Sequence, residues 1–216
     1  SWGDNSSGQL GDGTDSDRHT PTQESTGETD WSAIAVGKLH TVALKSDGTL
    51  WAWGFNASGQ FGDGTSSSKI TPTQESTGAT NWSAIAAGAY HTVGLRSDGT
   101  LWAWGSNSLG QLGDGTNSNK ITPTQESTGA TTWSAIATGR YHTVALRSNG
   151  TLWSWGNNYL GQLGDGTSTS KTTPTQESTR ATNWSAIIAS DNHTVALRSD
   201  GTLWAWGSNG LGQLGN

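Results

Sequence analysis

The stretch His91-Thr-Val-Gly-Leu-Arg-Ser-Asp-Gly-Thr-Leu-Trp-Ala-Trp-Gly105 decides the fold. From His91 to Arg96 apolar and polar residues alternate, which places Val93 and Leu95 on one face of a strand. Ser97-Asp98-Gly99-Thr100 then carries the Asp-Gly pair of a two-residue type I′ hairpin, where positive φ is cheapest. Leu101-Trp102-Ala103-Trp104 reads as the returning strand, with both indoles on the same side by the period of two. Upstream, Trp82-Ser-Ala-Ile-Ala-Ala87 is a strand ended by Gly88. Downstream, a polar loop through Gly110-Gln-Leu-Gly-Asp-Gly-Thr116 leads to Thr122-Pro-Thr-Gln-Glu126. Pro123 assigns that last strand to an outer edge, because proline cannot donate to a central ladder. Four strands, A to D, with short links make one blade. No 3.6-residue apolar period survives anywhere, so no helix is expected.

The same phrase recurs along the chain. Trp-Gly falls at Trp2, Trp53, Trp104, Trp155 and Trp206, in steps of 51 residues, and Gly-Gln-Leu/Phe-Gly follows from Gly8, Gly59, Gly110, Gly161 and Gly212. A fixed period near 50 marks a propeller or another array of small β units. The repeats are bounded at 2–52, 53–103, 104–154 and 155–205, with a partial repeat 206–216, and residues 1–216 form one propeller or half-propeller domain. The fold class is all-β.

Composition agrees. Thirteen tryptophans at periodic positions argue against disorder despite 31 glycines. The net charge of −6 and scattered Lys and Arg leave no basic stripe for phosphates, so nucleic acid is not an expected partner. The chain has no cysteine, which excludes disulfides and thiolate sites. No apolar run has the length of a membrane span and no signal-like segment is present, so membrane insertion is not expected. Methionine is absent even at position 1, which suggests an excised or processed segment.

The string His-Thr-Val-Ala-Leu-Arg-Ser-Asp-Gly-Thr-Leu-Trp-Ala-Trp-Gly-Ser-Asn with the following Gly-Gln-Leu-Gly resembles the repeat of the regulator of chromosome condensation family, especially its bacterial, Thr- and Ser-rich members. The resemblance covers the whole chain and implies a β-propeller, usually of seven blades, which at this period takes roughly 350 residues. It also slightly favours a bacterial extracellular or cell-surface setting. The front of the chain carries a strand D at Pro21, and the last repeat has A, B and C without a D. Exchange of that edge strand within one chain gives four blades; exchange between two chains gives an eight-bladed ring from an isologous homodimer. A dimeric ring or a fragment of a larger propeller is favoured over the four-bladed closure, since residues 1–14 and 204–216 are copies of one stretch and a closed four-bladed ring needs one copy only.

Chemistry-bearing residues recur at fixed register. His40, His91, His142 and His193 begin each strand B and read as backbone-bonded residues; a shared metal site is the weaker reading, as no carboxylate accompanies them. Asp12, Asp63, Asp114 and Asp165 stand alone between glycines, unlike the alternating oxygens of a calcium loop. Asp47, Asp98, Asn149 and Asp200 read as turn residues. Glu24, Glu75, Glu126 and Glu177 lie on strand D in equal environments, whereas acid–base pairs need unlike ones. No phosphate loop, dinucleotide fingerprint or Ser-His-Asp set occurs. The chain is therefore read as no enzyme, with no cofactor and no metal. A light-sensing plant propeller with similar repeats uses clustered tryptophans beside arginines. Here the tryptophans occupy repeat-invariant packing positions, and Arg96, Arg147 and Arg198 adjoin hairpins rather than a Trp cage.

Differences between repeats concentrate in the A–B and C–D connections, which leave an up-and-down blade on the same side. Phe55, Tyr90, Leu109, Arg140, Tyr141 and Tyr159 there form the candidate interaction face, from residue types that dominate protein interfaces. The last repeat also departs at Arg180, Ser190 and Asp191. The expected function is a non-enzymatic scaffold that presents this loop face to a protein partner and self-assembles by sharing edge strands. The alternatives are a structural array within a larger surface protein or a propeller-type enzyme inhibitor.

Overall fold

A computed structural model describes residues 1–215; Asn216, the last residue of the partial repeat, lies outside the described residues. The first sheet is β1 (Trp31–Val36), β2 (His40–Lys45), β3 (Leu50–Gly54) and β4 (Lys69–Gln74); the second is β5 (Trp82–Ala87), β6 (His91–Arg96), β7 (Leu101–Gly105) and β8 (Lys120–Gln125). The third is β9 (Trp133–Thr138), β10 (His142–Arg147), β11 (Leu152–Gly156) and β12 (Lys171–Gln176), and the last has only β13 (Trp184–Ala189), β14 (His193–Arg198) and β15 (Leu203–Gly207). Within each sheet neighbours in sequence are neighbours in space, so every sheet is an antiparallel blade. The innermost strands β1, β5, β9 and β13 pack on one another in succession and converge on a common axis. Pro123 lies in the outer strand, as expected. That strand starts at Lys120 rather than Thr122, because Lys120 pairs with Gly105 across a register irregularity.

The B–C hairpin differs from its predicted type. Type I′ needs positive φ at two residues, but in Arg96–Thr100 only Gly99 is left-handed, at φ 78°. Gly99 N–H donates to the Arg96 carbonyl at 2.9 Å and Arg96 N–H to the Thr100 carbonyl at 3.0 Å, a type I turn followed by a glycine bulge. The Asp98 carboxylate accepts from Thr100 N–H at 3.0 Å and its hydroxyl at 2.6 Å. Asn149 offers an equivalent oxygen to Thr151, which explains the Asp-to-Asn exchange.

No blade buries its own apolar face. Val42, Leu44, Leu50 and Ala52 of the first blade, with Phe61 of its C–D loop, pack against Trp82 and Trp104 of the second, and the same cluster recurs at the next two joints. The arginines correct the sequence reading: they do sit among tryptophans. The Arg96 guanidinium lies 4.6 Å from the Trp82 ring and 4.2 Å from Trp102, and Arg147 and Arg198 repeat this between Trp133 and Trp153 and between Trp184 and Trp204. Arg96 is the cross-strand partner of Trp82, so pairing rather than sequence proximity brings them together. In the first blade Lys45 takes this place, over Trp31 and Trp51, and its ammonium also meets Glu28.

A polar relay ties each joint. The His40, His91 and His142 rings place Nε2 3.2, 3.2 and 3.1 Å from the hydroxyls of Thr92, Thr143 and Thr194 in the next blade. Those hydroxyls donate to the carbonyls of Gln60, Gln111 and Gln162 at 2.7–2.8 Å. A hydroxyl has one proton, so each imidazole must donate from Nε2, and burial with an unpartnered Nδ1 favours the neutral Nε2–H tautomer. The indoles of Trp53, Trp104 and Trp206 reach the same kind of carbonyl, on Gln9, Gln60 and Gln162; Trp155 has no such partner. A Cβ at Gly88 or Gly139 would overlap the following histidine ring, so glycine there is a packing requirement. In the last blade Ser190 replaces it, and His193 is only half-buried.

The N-terminal arm, residues 1–25, packs on the first blade through the Gln9 carbonyl, which accepts from Thr41 and Trp53. It holds the outer corner of a preceding blade: Gly3 bridges to Arg18 as Gly54 pairs with Lys69. Both end faces stay uncovered. Leu203 is 71% exposed where Leu50, Leu101 and Leu152 are 0%, and Ile34 is 74% exposed. Among the described residues no helix is long and apolar enough to cross a membrane.

Two predictions follow from burial and backbone. Burial holds His40 and His142 at about 4 and His91 at about 3, the last helped by its histidine neighbours, against 6.5 unfolded. The unfolded chain therefore binds protons first as pH falls. The stabilisation is whole above pH 6.5 and fades toward pH 4, by about 1–2 kcal/mol per histidine at pH 5. Denaturant melts from pH 7 to 4.5 should show this, and His142→Asn should flatten the slope; an unchanged slope contradicts it. Arg180 is the one non-glycine residue with positive φ among those described, 53°, where Gly27, Gly78 and Gly129 stand in the other repeats. Arg180→Gly should raise stability by about 0.5–1 kcal/mol in the same melts.

Candidate interaction face

The C–D loops are long, polar and nonetheless rigid, because each is knotted around a buried asparagine. The Asn107 side-chain amide donates to Asp114 Oδ1 at 3.0 Å and to the carbonyls of Thr116 and Ser118 at 3.0 and 3.1 Å, while its Oδ1 accepts from Leu112 N–H at 3.0 Å. Asn5, Asn56 and Asn158 repeat the knot. Asp114 and Asp165 are further held by Lys120 and Lys171 at 3.2 and 3.3 Å, and Asp12 by Arg18. These aspartates therefore order loops. The glutamates follow the outer strands rather than lie on them, because their carboxylates cap the turn into the next blade: Glu126 accepts from Ala130 N–H at 3.0 Å and from the Trp133 indole at 3.2 Å, and Glu75 and Glu177 do the same. Among the described residues no group of three His, Cys, Asp or Glu side chains is placed to hold a metal ion.

The A–B turns are laced together at the axis. Lys38 N–H donates to the Ala89 carbonyl, Ala89 N–H to Arg140, and Arg140 N–H to Asp191, at 3.2–3.3 Å. These four residues occupy one register in successive blades and surround a cavity of about 410 Å³ at the mouth of the axis. Its wall is otherwise backbone and small side chains, so the chemistry of the mouth is set by Lys38, Arg140 and Asp191.

Phe55 and Tyr90, from adjacent blades, meet edge to face with ring centroids 6.2 Å apart, and the Lys38 ammonium lies 5.8 Å from the Tyr90 ring. Arg140 stacks over Tyr141 at 5.2 Å. The two connections thus do share one side of the blades. Leu109, half-buried, and Tyr159, 67% exposed, stand on the C–D loops of the second and third blades and join neither cluster by a ring contact among the described residues. Lys38 and Asp191 belong to the varied A–B connections but lie outside the six residues of the candidate face. The signal that could have found them is register: they occupy the place of Arg140 in their own repeats.

The profile of the RCC1-like domain family matches residues 1–216. The ultraviolet-B receptor UVR8 of Arabidopsis thaliana is 34% identical over 219 residues, covering all of this chain and 50% of that protein. The mitochondrial RCC1 domain-containing protein RUG3 of the same plant is 30% identical over 229 residues, covering all of this chain and 51% of its own. This chain spans about half the length of these two relatives. Among solved structures, Prp20p of Saccharomyces cerevisiae superposes with a TM-score of 0.85 at 26% identity, covering 99% of this chain and 54% of that one. Human WBSCR16 gives 0.83 at 24% identity, over 98% and 57%, which speaks for the fold alone.

The asparagine knot makes a checkable claim about the face. Asn107→Ala leaves Thr116 and Ser118 carbonyls and the Leu112 N–H without their partner, and should cost about 2–3 kcal/mol in denaturant melts. Faster amide exchange confined to residues 106–119 should accompany the loss; protected amides there would count against a loop held by this side chain.

Proposed function

The chain belongs to the RCC1-like domain family, and on that premise we propose that it works as a non-enzymatic scaffold whose A–B and C–D loops present one face to a protein partner. The observation that carries this reading is the split between a repeated frame and a varied rim. The frame uses many of its buried polar groups on itself, in histidine relays, asparagine knots and glutamate caps. The rim gathers Phe55, Tyr90, Arg140 and Tyr141 into two aromatic–cation clusters beside the axis. Aromatic and arginine side chains on a pre-ordered surface lose little entropy on binding and form the usual anchors of interfaces. Prp20p, similar over half its length, has been described with binding properties toward Gsp1p and histones, which supports protein recognition as the use of such a frame. The uncovered end faces support the second half of the reading, self-association as a homodimer.

The test places a photo-crosslinking amino acid at Tyr141 or Tyr159, on the loop face, or at Asp98, on the opposite hairpin face, and compares the adducts formed in the source cells. Adducts with one defined protein from the loop-face positions, lost in a Tyr90→Ala/Arg140→Ala/Tyr141→Ala variant of unchanged thermal stability, are the expected result. Equal adducts from Asp98, or adducts that survive the triple substitution, would sink the loop-face reading.

A further inference from the structure

The chain makes the blade joint three times and carries both halves of a fourth. Each interior joint sets a histidine Nε2–H on the hydroxyl of a threonine in the next blade. His193 has that register in the last blade, and no threonine hydroxyl meets its ring among the described residues. Thr41 has the matching register in the first blade: its hydroxyl proton goes to the Gln9 carbonyl at 2.8 Å, and among the described residues no histidine donates to its oxygen. The apolar halves match in the same way. Leu197 and Leu203 are 37% and 71% exposed where Leu44 and Leu50 are 3% and 0%. Ile34 and Val36 are 74% and 69% exposed where Ile85 and Ala87 pack into a core cluster.

We propose that the β13–β15 face of one copy docks on the β1 face of a second copy, with His193 of the first donating to Thr41 of the second, and that this joint is made twice to close a ring. The inference rests on the self-association part of the proposed function and adds which faces meet and which segment gives way. The last sheet lacks an outer strand, and the arm of a second copy has one ready, since its Gly3–Arg18 bridge already holds the corner that Gly105 and Lys120 hold elsewhere. The arm and residues 205–215 are, however, two versions of the same stretch. Trp2 corresponds to Trp206 and Gln9 to Gln213, and only one glutamine carbonyl can receive Thr41 and Trp53. Gln9 already does so. The segment from Ala205 onward must therefore leave when the second copy arrives, so the strand at the joint passes from Trp204 of one copy to Ser1 of the other.

One residue opposes the joint and gives its test a sign. Ala79, Ala130 and Ala181 each pack on an interior cluster, but the first blade has Glu28 at that place, held by Lys45. In the joint Glu28 borders Leu197 and Leu203, and desolvation of its charge weakens the contact. Light scattering on a sizing column over a dilution series of the full chain reads the outcome. The expected result is a two-chain mass whose dissociation constant rises about ten- to a hundredfold in His193→Ala, where one charge-free hydrogen bond is lost at each of the two joints, and falls by about the same factor in Glu28→Ala. Removing residues 205–216 should also tighten the dimer, because the competing segment is gone. Diluted until both are single chains, His193→Ala should melt like the parent, since its ring has no hydrogen-bond partner among the described residues of its own chain; Thr41→Val checks the other half of the bond. A two-chain mass indifferent to His193→Ala, Thr41→Val and Glu28→Ala overturns this joint while leaving self-association standing. A single-chain mass at every concentration, in the parent, Glu28→Ala and shortened forms alike, overturns both.

Discussion

The relay from histidine to threonine to glutamine carbonyl is the constraint on which the rest of this molecule depends. It crosses every interior joint at its most buried point, where an unsatisfied polar atom costs most. Three demands follow from it. The histidine must be neutral, and burial enforces that by holding His40, His91 and His142 far below the range of an exposed imidazole. The residue three before it must lack a side chain, as Gly37, Gly88 and Gly139 do. The C–D loop must deliver its glutamine carbonyl to a fixed point, and the buried asparagine of the same loop supplies that fixity. Three recurring motifs that look independent in the sequence are one device in space.

Because the device spans neighbours, the chain behaves as a one-dimensional stack in which each blade is completed by the next. The apolar clusters say the same: each contains residues of two successive blades. Variation is tolerated where this chain of dependence ends. Ser190 stands at a glycine position in the blade whose histidine meets no threonine among the described residues, and Ile188, where the other repeats carry alanine, is 66% exposed. Glu28 and Lys45 likewise occur together, so that the charge brought in by one is met by the other.

Much of this was legible in the sequence, and the exceptions share a cause. Strands A and B at Trp82–Ala87 and His91–Arg96, the outer place of Pro123 and the common side of the variable loops all follow from a period of two, one proline and alternating strand direction. What failed needed a partner strand. Lys120 joins the outer strand because Gly105 faces it, not because of its own neighbours. Gly99 alone takes the left-handed conformation, since Asp98 is satisfied by bonding Thr100. Arg96 lies between Trp82 and Trp102 because pairing across three strands brings residues together that lie fourteen and six positions apart. Of the six residues of the candidate face, Arg140 and Tyr141 meet as neighbours in one A–B turn, whereas Phe55 meets Tyr90 through the offset between one blade's C–D loop and the next blade's A–B turn, which no single repeat shows.

That offset also explains why the face can vary without loosening the frame. The backbone of the A–B turns is spent on the ladder from Lys38 to Asp191, and the loop backbone on the asparagine knots, so the side chains at these positions carry no structural duty. Lys38, Ala89, Arg140 and Asp191 can therefore differ in size and sign while every joint beneath them stays the same. The chemistry at the axis mouth is set by residues that the fold does not need. A surface built that way can change its shape and charge by single substitutions, each independent of the blade joints that keep the scaffold folded.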